Sequence, residues 1–371
     1  TLYHLIFVVK IKIIMKVCIL GNGLTSLALA KMLINNGIKV DILSDKKIRK
    51  YNKVQTLGIS KSNLDFFNKN ILNISKLTWD INQIEIYNEK LKNEKILDFK
   101  NKDSILFSLI KNSDLYNNLY SKLKNNNYIS FKKNLSFQDL SKKKYDLVFN
   151  CDLNNLITKK FFYKKIDKNY NSFAFITILK HKKISNNKSA IQIFTKKGPL
   201  AFLPISQNET SVVYSARGYE NVDLENLIKK NNTKFEILKI NKIFNFELKS
   251  SSLRTYYHSN IIAFGDLLHR LHPLAGQGFN MTIRDIKEIQ KLILKRKSLG
   301  LELDTSICKD FEKNSRSKNF LFASGIDFIY EFFNFENKID NKIMSKSIKY
   351  FGKKKFTNKI LTNIANRGLI F

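Results

Sequence analysis

Residues 265–285 read GDLLHRLHPLAGQGFNMTIRD. A chain with only 13 Gly and 3 Pro places three of those glycines and one of those prolines in this stretch. Upstream, NIIAFGD has the pattern of a buried strand that ends at Gly265 and Asp266. Downstream, Phe279, Ile283, Ile286, Ile289 and Ile293 fall on one helical stripe, which predicts a helix beginning near Phe279. Between them Pro273 rigidifies the approach, while Gly276 and Gly278 flank Gln277 so that successive backbone N–H groups can converge in front of the helix. Such a nest stabilises an anion. Asp266, a carboxylate at a strand end, suits the hydroxyls of a sugar or polyol.

The beginning of the chain supplies a matching half. VCIL (17–20) is a short buried-strand run, GNGLTS leads into LALAKMLINNG, and KVDIL follows as a second strand. Leu27, Ala30 and Ile34 share one helical face, and Gly37 sits where a helix stop belongs. This is a βαβ unit. Gly21 permits the tight strand-to-helix turn, Gly23 lets the backbone approach a pyrophosphate, and the helix N-terminus adds partial positive charge. An adenine dinucleotide fits that turn; a glycine turn without a nucleotide is the other reading. The third glycine of the usual fingerprint is replaced by Ser26, and the second strand ends at Ser44, with Asp45 one residue beyond.

With 371 residues, 43% of them hydrophobic, the chain can bury a core and form two or more lobes. A net charge of +34 suits nucleic acid or an anionic membrane. Lys, Asn and Ile recur throughout, however, and no basic run carries a nucleic-acid reader motif, so compositional bias accounts for the charge and no nucleic acid is expected. Cys18, Cys151 and Cys308 form no CxxC and leave an odd count, which points to a reducing compartment, cytoplasmic by expectation. The apolar start TLYHLIFVV lacks a small-residue cleavage site and is a poor signal peptide; Met15 could be the true start. No run of 18 apolar residues predicts a spanning helix.

Residues 78–103 alternate as edge strands would, residues 105–129 read as helical, and YDLVFNCD (145–152) reads as a central strand ending in an acid. SFAFITILKH, AIQIFT, LAFLPIS and TSVVYSA, between 172 and 216, are β runs that imply a second, sheet-rich lobe. His269 and His272 form HxxH without the Cys or carboxylate that would complete a zinc set, so no metal is expected, and His181 in its strand pattern reads as structural. No GxSxG elbow supports a serine hydrolase. IDFIYEFFNF (326–335) is aromatic at helical spacing, either a core helix or an interfacial face that admits a lipid-soluble substrate.

Taken together, GNGLTS, the CD at 151–152, GPLAFLPIS (198–206) and GDLLHRLHPLAGQGFNMTIRD resemble the FAD-dependent aromatic monooxygenases, specifically the ubiquinone-biosynthesis hydroxylases. The resemblance covers nearly the whole chain: KNSDLYNNLYSKL falls where that family has the helix after its first β insertion, and ANRG at 365–368 is similar to its C-terminal end. It implies that Asp266 bonds the ribityl chain of FAD, that the Gly276–Gly278 backbone faces the pyrimidine ring, and that Asn280 lies beside the same ring. It further implies reduction by NADPH and reaction with O2 to a C4a-hydroperoxyflavin, which hydroxylates a lipid-soluble, polyprenylated phenol-type ring. The expected surroundings are other ubiquinone-biosynthesis proteins and an anionic membrane surface, with peripheral attachment on the inner face of the cytoplasmic membrane.

Three positions depart from that pattern. Ser26 and Ser44 stand in the dinucleotide unit, and the family's mid-chain Asp-Gly, linked to FAD and NADPH handling, is Asp152 followed by Leu153. The rival readings are a non-catalytic, accessory flavin- or lipid-binding member of the fold and a flavin reductase. The expected architecture is α/β: a Rossmann-like FAD-binding domain (1–77, 104–169, 252–305) interleaved with a β-sheet substrate domain (78–103, 170–251), and a helical C-terminal region (306–371).

Overall fold

The computed structural model describes residues 15–44, 53–89, 94–100, 105–133, 140, 144–218, 221–271 and 278–339, with side chains up to 325 apart from residue 99. β1 (Lys16–Leu20), α1 (Leu24–Asn35) and β2 (Lys39–Leu43) form the βαβ unit that the glycines predict. β1 lies between β2 and the strand Leu147–Asn150, parallel to both. Strands Ile129–Lys132 and Ile261–Ala263 extend this sheet in the same direction, and Tyr257–His258 closes it antiparallel, giving six strands among the described residues. A parallel sheet covered on both faces needs continuous apolar strands, and Val17, Cys18, Ile19 and Leu20 are all buried. α1 is buried beyond the Leu27, Ala30 and Ile34 face, at Ala28, Leu29, Met32 and Leu33 as well, because helices Asn112–Lys124 and Gly278–Ser298 both pack against it.

The second sheet runs in the order His269–Arg270, Phe244–Leu253, Lys165–His181, Glu209–Arg217, Gly198–Pro204, Ser189–Thr195, Gln83–Asn88, Glu94–Lys100, with Ile237–Ile240 also paired to Lys165–His181. Residues 83–100 thus form the edge that their alternation predicts. Under this sheet Phe175, Leu200 and Phe202 pack with Leu224 and Ile228 of the helix Leu224–Asn231. Between the two sheets sits an antiparallel trio, Thr56–Ser60, Phe107–Lys111 and Trp79–Ile81. It corrects one expectation: residues 107–111 are not the first turn of a helix but a strand paired on both sides, and the helix begins only at Asn112. Cross-strand partners on either side outweigh local helical periodicity there.

Helix Gly278–Ser298 buries the stripe Phe279, Ile283, Ile286, Ile289 and Ile293. Helix Thr305–Ile339 follows, and its Phe311 ring lies 5.8 Å from that of Phe264. The side chains of IDFIYEFFNF and the ANRG segment lie outside the described residues. Among the described residues no helix is long and apolar enough to cross a membrane.

Candidate functional site

Because the strands that end at Leu20, Leu43, Asn150 and Ala263 are parallel, their carboxyl ends gather on one edge, where ligands of open α/β sheets bind. Gly21 takes φ +99°, a backbone region hostile to other residues, and its N–H donates to Leu43 O at 2.8 Å. The chain can therefore turn from β1 into α1 within three residues. Gly23 is the N-cap of α1; no side chain caps the helix and no acid stands in its first turn, an end of the kind that accepts an anion. Ser26 is fully buried, its hydroxyl set against the Cys151 thiol just after the central strand. A small residue is what that contact with the sheet admits.

Two further strand ends converge on this turn. A Cβ on Gly21 would stand 3.5 Å from the Cβ of Asp152, so the acid after the central strand flanks the glycine turn. Gly265 has φ +65°, and a Cβ there would fall 2.6 Å from Cγ2 and 2.9 Å from Oγ1 of Thr25, in the first turn of α1. Only glycine lets the 265 turn lie so close to the dinucleotide turn. Asp266, next in that 3-10 turn, is exposed at the same edge. The Cys151 thiol feels both acids: burial first, then the charges of Asp266 and Asp152, push its pKa up to about 12. It is an unreactive thiol.

Ser44 closes β2, its N–H donating to Lys132 O at 3.1 Å, while Asp45 lies outside the described residues. So do His272, Pro273, Gly276 and Gln277. What flanks that loop is described. A Cβ on Gly278, at the helix start, would meet no atom of the described residues within 4 Å. The Asn280 side chain ties the helix to other elements: its Oδ1 accepts from Ser60 N at 3.0 Å and Asn63 Nδ2 at 2.8 Å, and its Nδ2 donates to Gly58 O at 2.8 Å. Asn280 fastens the helix to the strand Thr56–Ser60. On the other flank, buried His269 bonds through Nε2 to buried Asp285, which accepts from Asn319 Nδ2 at 3.2 Å. Burial acts to lower the His269 pKa, but the Asp285 charge and hydrogen bond overcome it and the net shift is upward. The HxxH pattern is thus half accounted for by an ion pair.

Sequence reasoning missed three partnerships here. Asn280 and Asp285 each had a signal, a polar side chain on the buried arc of an apolar helix, which requires a partner. The third fixes the loop after the central strand: Asn150 Nδ2 donates to Thr158 Oγ1 at 2.8 Å, Asn155 Nδ2 to Asn150 Oδ1 at 2.8 Å, and Thr158 Oγ1 to Asp152 O at 2.6 Å. His181 is structural as expected, buried with Nε2 3.0 Å from Thr210 Oγ1.

No known family model matches the chain. Among curated proteins it is 24% identical over 175 residues to ubiquinone hydroxylase UbiL of Rhodospirillum rubrum, 44% of this chain and 41% of that protein. It is 28% identical over 152 residues to 3-demethoxyubiquinol 3-hydroxylase of Escherichia coli, 38% of this chain and 39% of that one. These two matches thus span about two fifths of each relative's length. A longer match, 20% identical, covers 91% of this chain and 87% of the mitochondrial ubiquinone biosynthesis monooxygenase COQ6 of Dictyostelium discoideum. Among solved structures, p-nitrophenol 4-monooxygenase PnpA of Pseudomonas putida superposes with a TM-score of 0.74 at 12% identity, covering 96% of this chain and 99% of that one. PqsL of Pseudomonas aeruginosa, described as a probable FAD-dependent monooxygenase, gives 0.65 at 13% identity over 84% and 93%. The chain therefore has the fold of the FAD-dependent aromatic monooxygenases and is similar in sequence to the ubiquinone-biosynthesis hydroxylases, as its motifs lead one to expect.

Proposed function

We propose that the protein is an FAD-dependent monooxygenase that hydroxylates a polyprenylated phenol-type ring in ubiquinone biosynthesis, using NADPH and O2. The observation that carries this reading is the meeting of two glycine turns, at Gly21 and Gly265, through the contact at Thr25, with Asp266 exposed beside them. One turn suits a pyrophosphate and the other carries a carboxylate suited to a polyol, the two polar parts of FAD. The names of the relatives supply the substrate class.

In this reading Gly21, Gly23 and the α1 N-terminus hold the pyrophosphate, with Ser26 as the small residue that seats the helix. Ser44 and Asp45 stand at the adenosine ribose, and Asp266 accepts hydrogen bonds from the ribityl hydroxyls. Pro273, Gly276, Gln277 and Gly278 form the backbone against the ring, and Asn280 acts through its ties to Gly58, Ser60 and Asn63, holding the helix behind that backbone. Bound flavin would supply the redox and oxygen chemistry; the protein orients it and excludes water. The division into an FAD-binding domain, a substrate sheet and a helical tail is part of the proposal. Strands Lys165–His181 and Phe244–Leu253 run across its boundaries, so the two lobes share continuous backbone.

The test begins with colour. Purified protein should carry or take up FAD rather than FMN, and Asp266→Ala should weaken FAD binding by about 1.5–3 kcal/mol, the value of a charge-assisted hydrogen bond. Wild type should oxidise NADPH faster when a phenol is added and restore hydroxylated quinone in cells lacking their own hydroxylase. Protein that binds FAD normally but neither turns over nor complements is the accessory member, disabled at Leu153 and Ser44. Protein that cannot be reconstituted with FAD refutes the proposal.

A further inference from the structure

Residues 153–166, LNNLITKKFFYKKI, begin where the central strand leaves the candidate site. Of twelve large apolar side chains that stand exposed among the described residues, four lie in these fourteen: Leu153 at 43%, Leu156 at 81%, Tyr163 at 61% and Ile166 at 55%. Exposed apolar side chains scattered singly need no explanation, but a cluster of them with a polar rim marks an interaction surface. The rim here is mainly basic: the segment holds four exposed lysines, of which Lys165 pairs with exposed Asp167 at 3.2 Å just beyond it, leaving Lys159, Lys160 and Lys164 around the apolar tips.

The backbone that carries this surface is fixed. Asn155 caps the short helix Leu156–Phe161 by accepting from Thr158 N at 2.7 Å, Ile157 and Phe162 are buried, and the Phe161 ring stacks on His258 at 3.9 Å. Ile157, Thr158 and Phe162 thus hold the segment down while Leu156, Lys159, Lys160 and residues 163–166 stand outward.

We propose that this segment is the surface by which the protein docks on an anionic lipid bilayer, with Leu156, Tyr163 and Ile166 entering the headgroup boundary and the lysines meeting lipid phosphates. A basic majority around apolar tips, three lysines beyond the Lys165–Asp167 pair, fits that partner; the net charge of +34 adds long-range attraction. The position fits a lipid-borne substrate, because Asp152, at the start of the segment, lies against Gly21 at the carboxyl edge of the parallel sheet. That last point rests on the hydroxylase reading; the docking surface does not. A second basic cluster with exposed Leu299 and Leu301 lies at the opposite edge, beyond the end of helix Gly278–Ser298, where Lys297 donates to Asn36 O. A helix of 21 residues puts it about 30 Å from the site, so it serves as the control.

The experiment is sedimentation of the full chain with vesicles of phosphatidylcholine alone or mixed with phosphatidylglycerol, with no flavin, NADPH or phenol present. Wild type should bind the anionic vesicles, less as salt rises. Leu156→Ser with Tyr163→Ser should lower partition at fixed salt at least tenfold, or about 1.4 kcal/mol. Lys159→Glu with Lys160→Glu should remove binding, and Leu299→Ser with Leu301→Ser should leave it unchanged. Leu156→Ser alone, at so exposed a residue, keeps the test available if the pair misfolds. The proposal is overturned if wild type ignores anionic vesicles, if the Leu156 and Tyr163 changes have no effect or no more than the control pair, or if they instead dissociate a protein oligomer. Such a failure leaves the hydroxylase reading to its own test, which is run with flavin and NADPH in solution.

Discussion

Gly265→Ala tests whether the two halves of the site are held by direct contact. The new methyl group meets two opposing effects. At φ +65° an alanine costs about 1–2 kcal/mol in the left-handed region. Its Cβ also falls 2.6 Å from Thr25 Cγ2 and 2.9 Å from Thr25 Oγ1, on a β-branched side chain with few alternative rotamers. Overpacking of that kind costs about 1–3 kcal/mol. Loss of unfolded-state freedom returns about 0.4–1 kcal/mol, so the net destabilisation should be about 1–4.5 kcal/mol. On a Thr25→Ala background the two shortest contacts vanish and only Cβ at 3.1 Å remains, so the same substitution should cost about 0–1.5 kcal/mol, the backbone part less the same unfolded-state return. Urea unfolding followed by the fluorescence of Trp79, the one tryptophan, measures both costs, with midpoints compared at equal slope. Equal cost in the two backgrounds would refute the contact, and with it the argument that Gly265 is glycine for the sake of α1.

Gly278→Val should leave stability nearly unchanged, because a Cβ there meets no atom of the described residues within 4 Å, yet it should strip FAD if the ring lies against that position. Flavin content of the folded variant decides it; full retention places the ring elsewhere. The His269–Asp285 pair predicts a pH dependence. The folded pKa of His269 is raised above its ordinary 6.5, so its contribution to stability is complete below that pH and is lost as pH climbs through the raised value. The stability gap between wild type and His269→Gln should therefore narrow as pH rises above the ordinary 6.5, and a constant gap would show that the pair is held by packing alone.

How much of this could be read from residue order depends on whether the cause was local. β1, the Gly21 turn, α1 and β2 follow one another, so strand pattern, turn and helix stop were all visible in the 28 consecutive residues 16–43. The same holds for the strand ending at Ala263 and the helix from Gly278. Residues 107–111 misled because what makes them a strand is pairing with residues 56–60 and 79–81, which no window around Ile105 contains. Asn280 and Asp285 were half legible. Their burial was foreseeable from the stripe they interrupt, but their partners, Ser60 and His269, belong to other elements.

The ties that complete the site have a consequence for how the chain acquires it. Asn280 binds Asn63, Ser60 and Gly58 across separations of 217, 220 and 222 residues, and Gly265 meets Thr25 across most of the molecule. A chain emerging from the ribosome makes β1 and α1 well before it has a second wall for the site, which waits until residues 265–280 have been synthesised. Contacts so distant in sequence carry a large loop-closure cost and form late. A ligand seated between those walls therefore has nothing to bind in the partly folded chain. Its whole binding free energy falls on the finished native state, and cofactor supply would set how much of the newly made protein survives proteolysis.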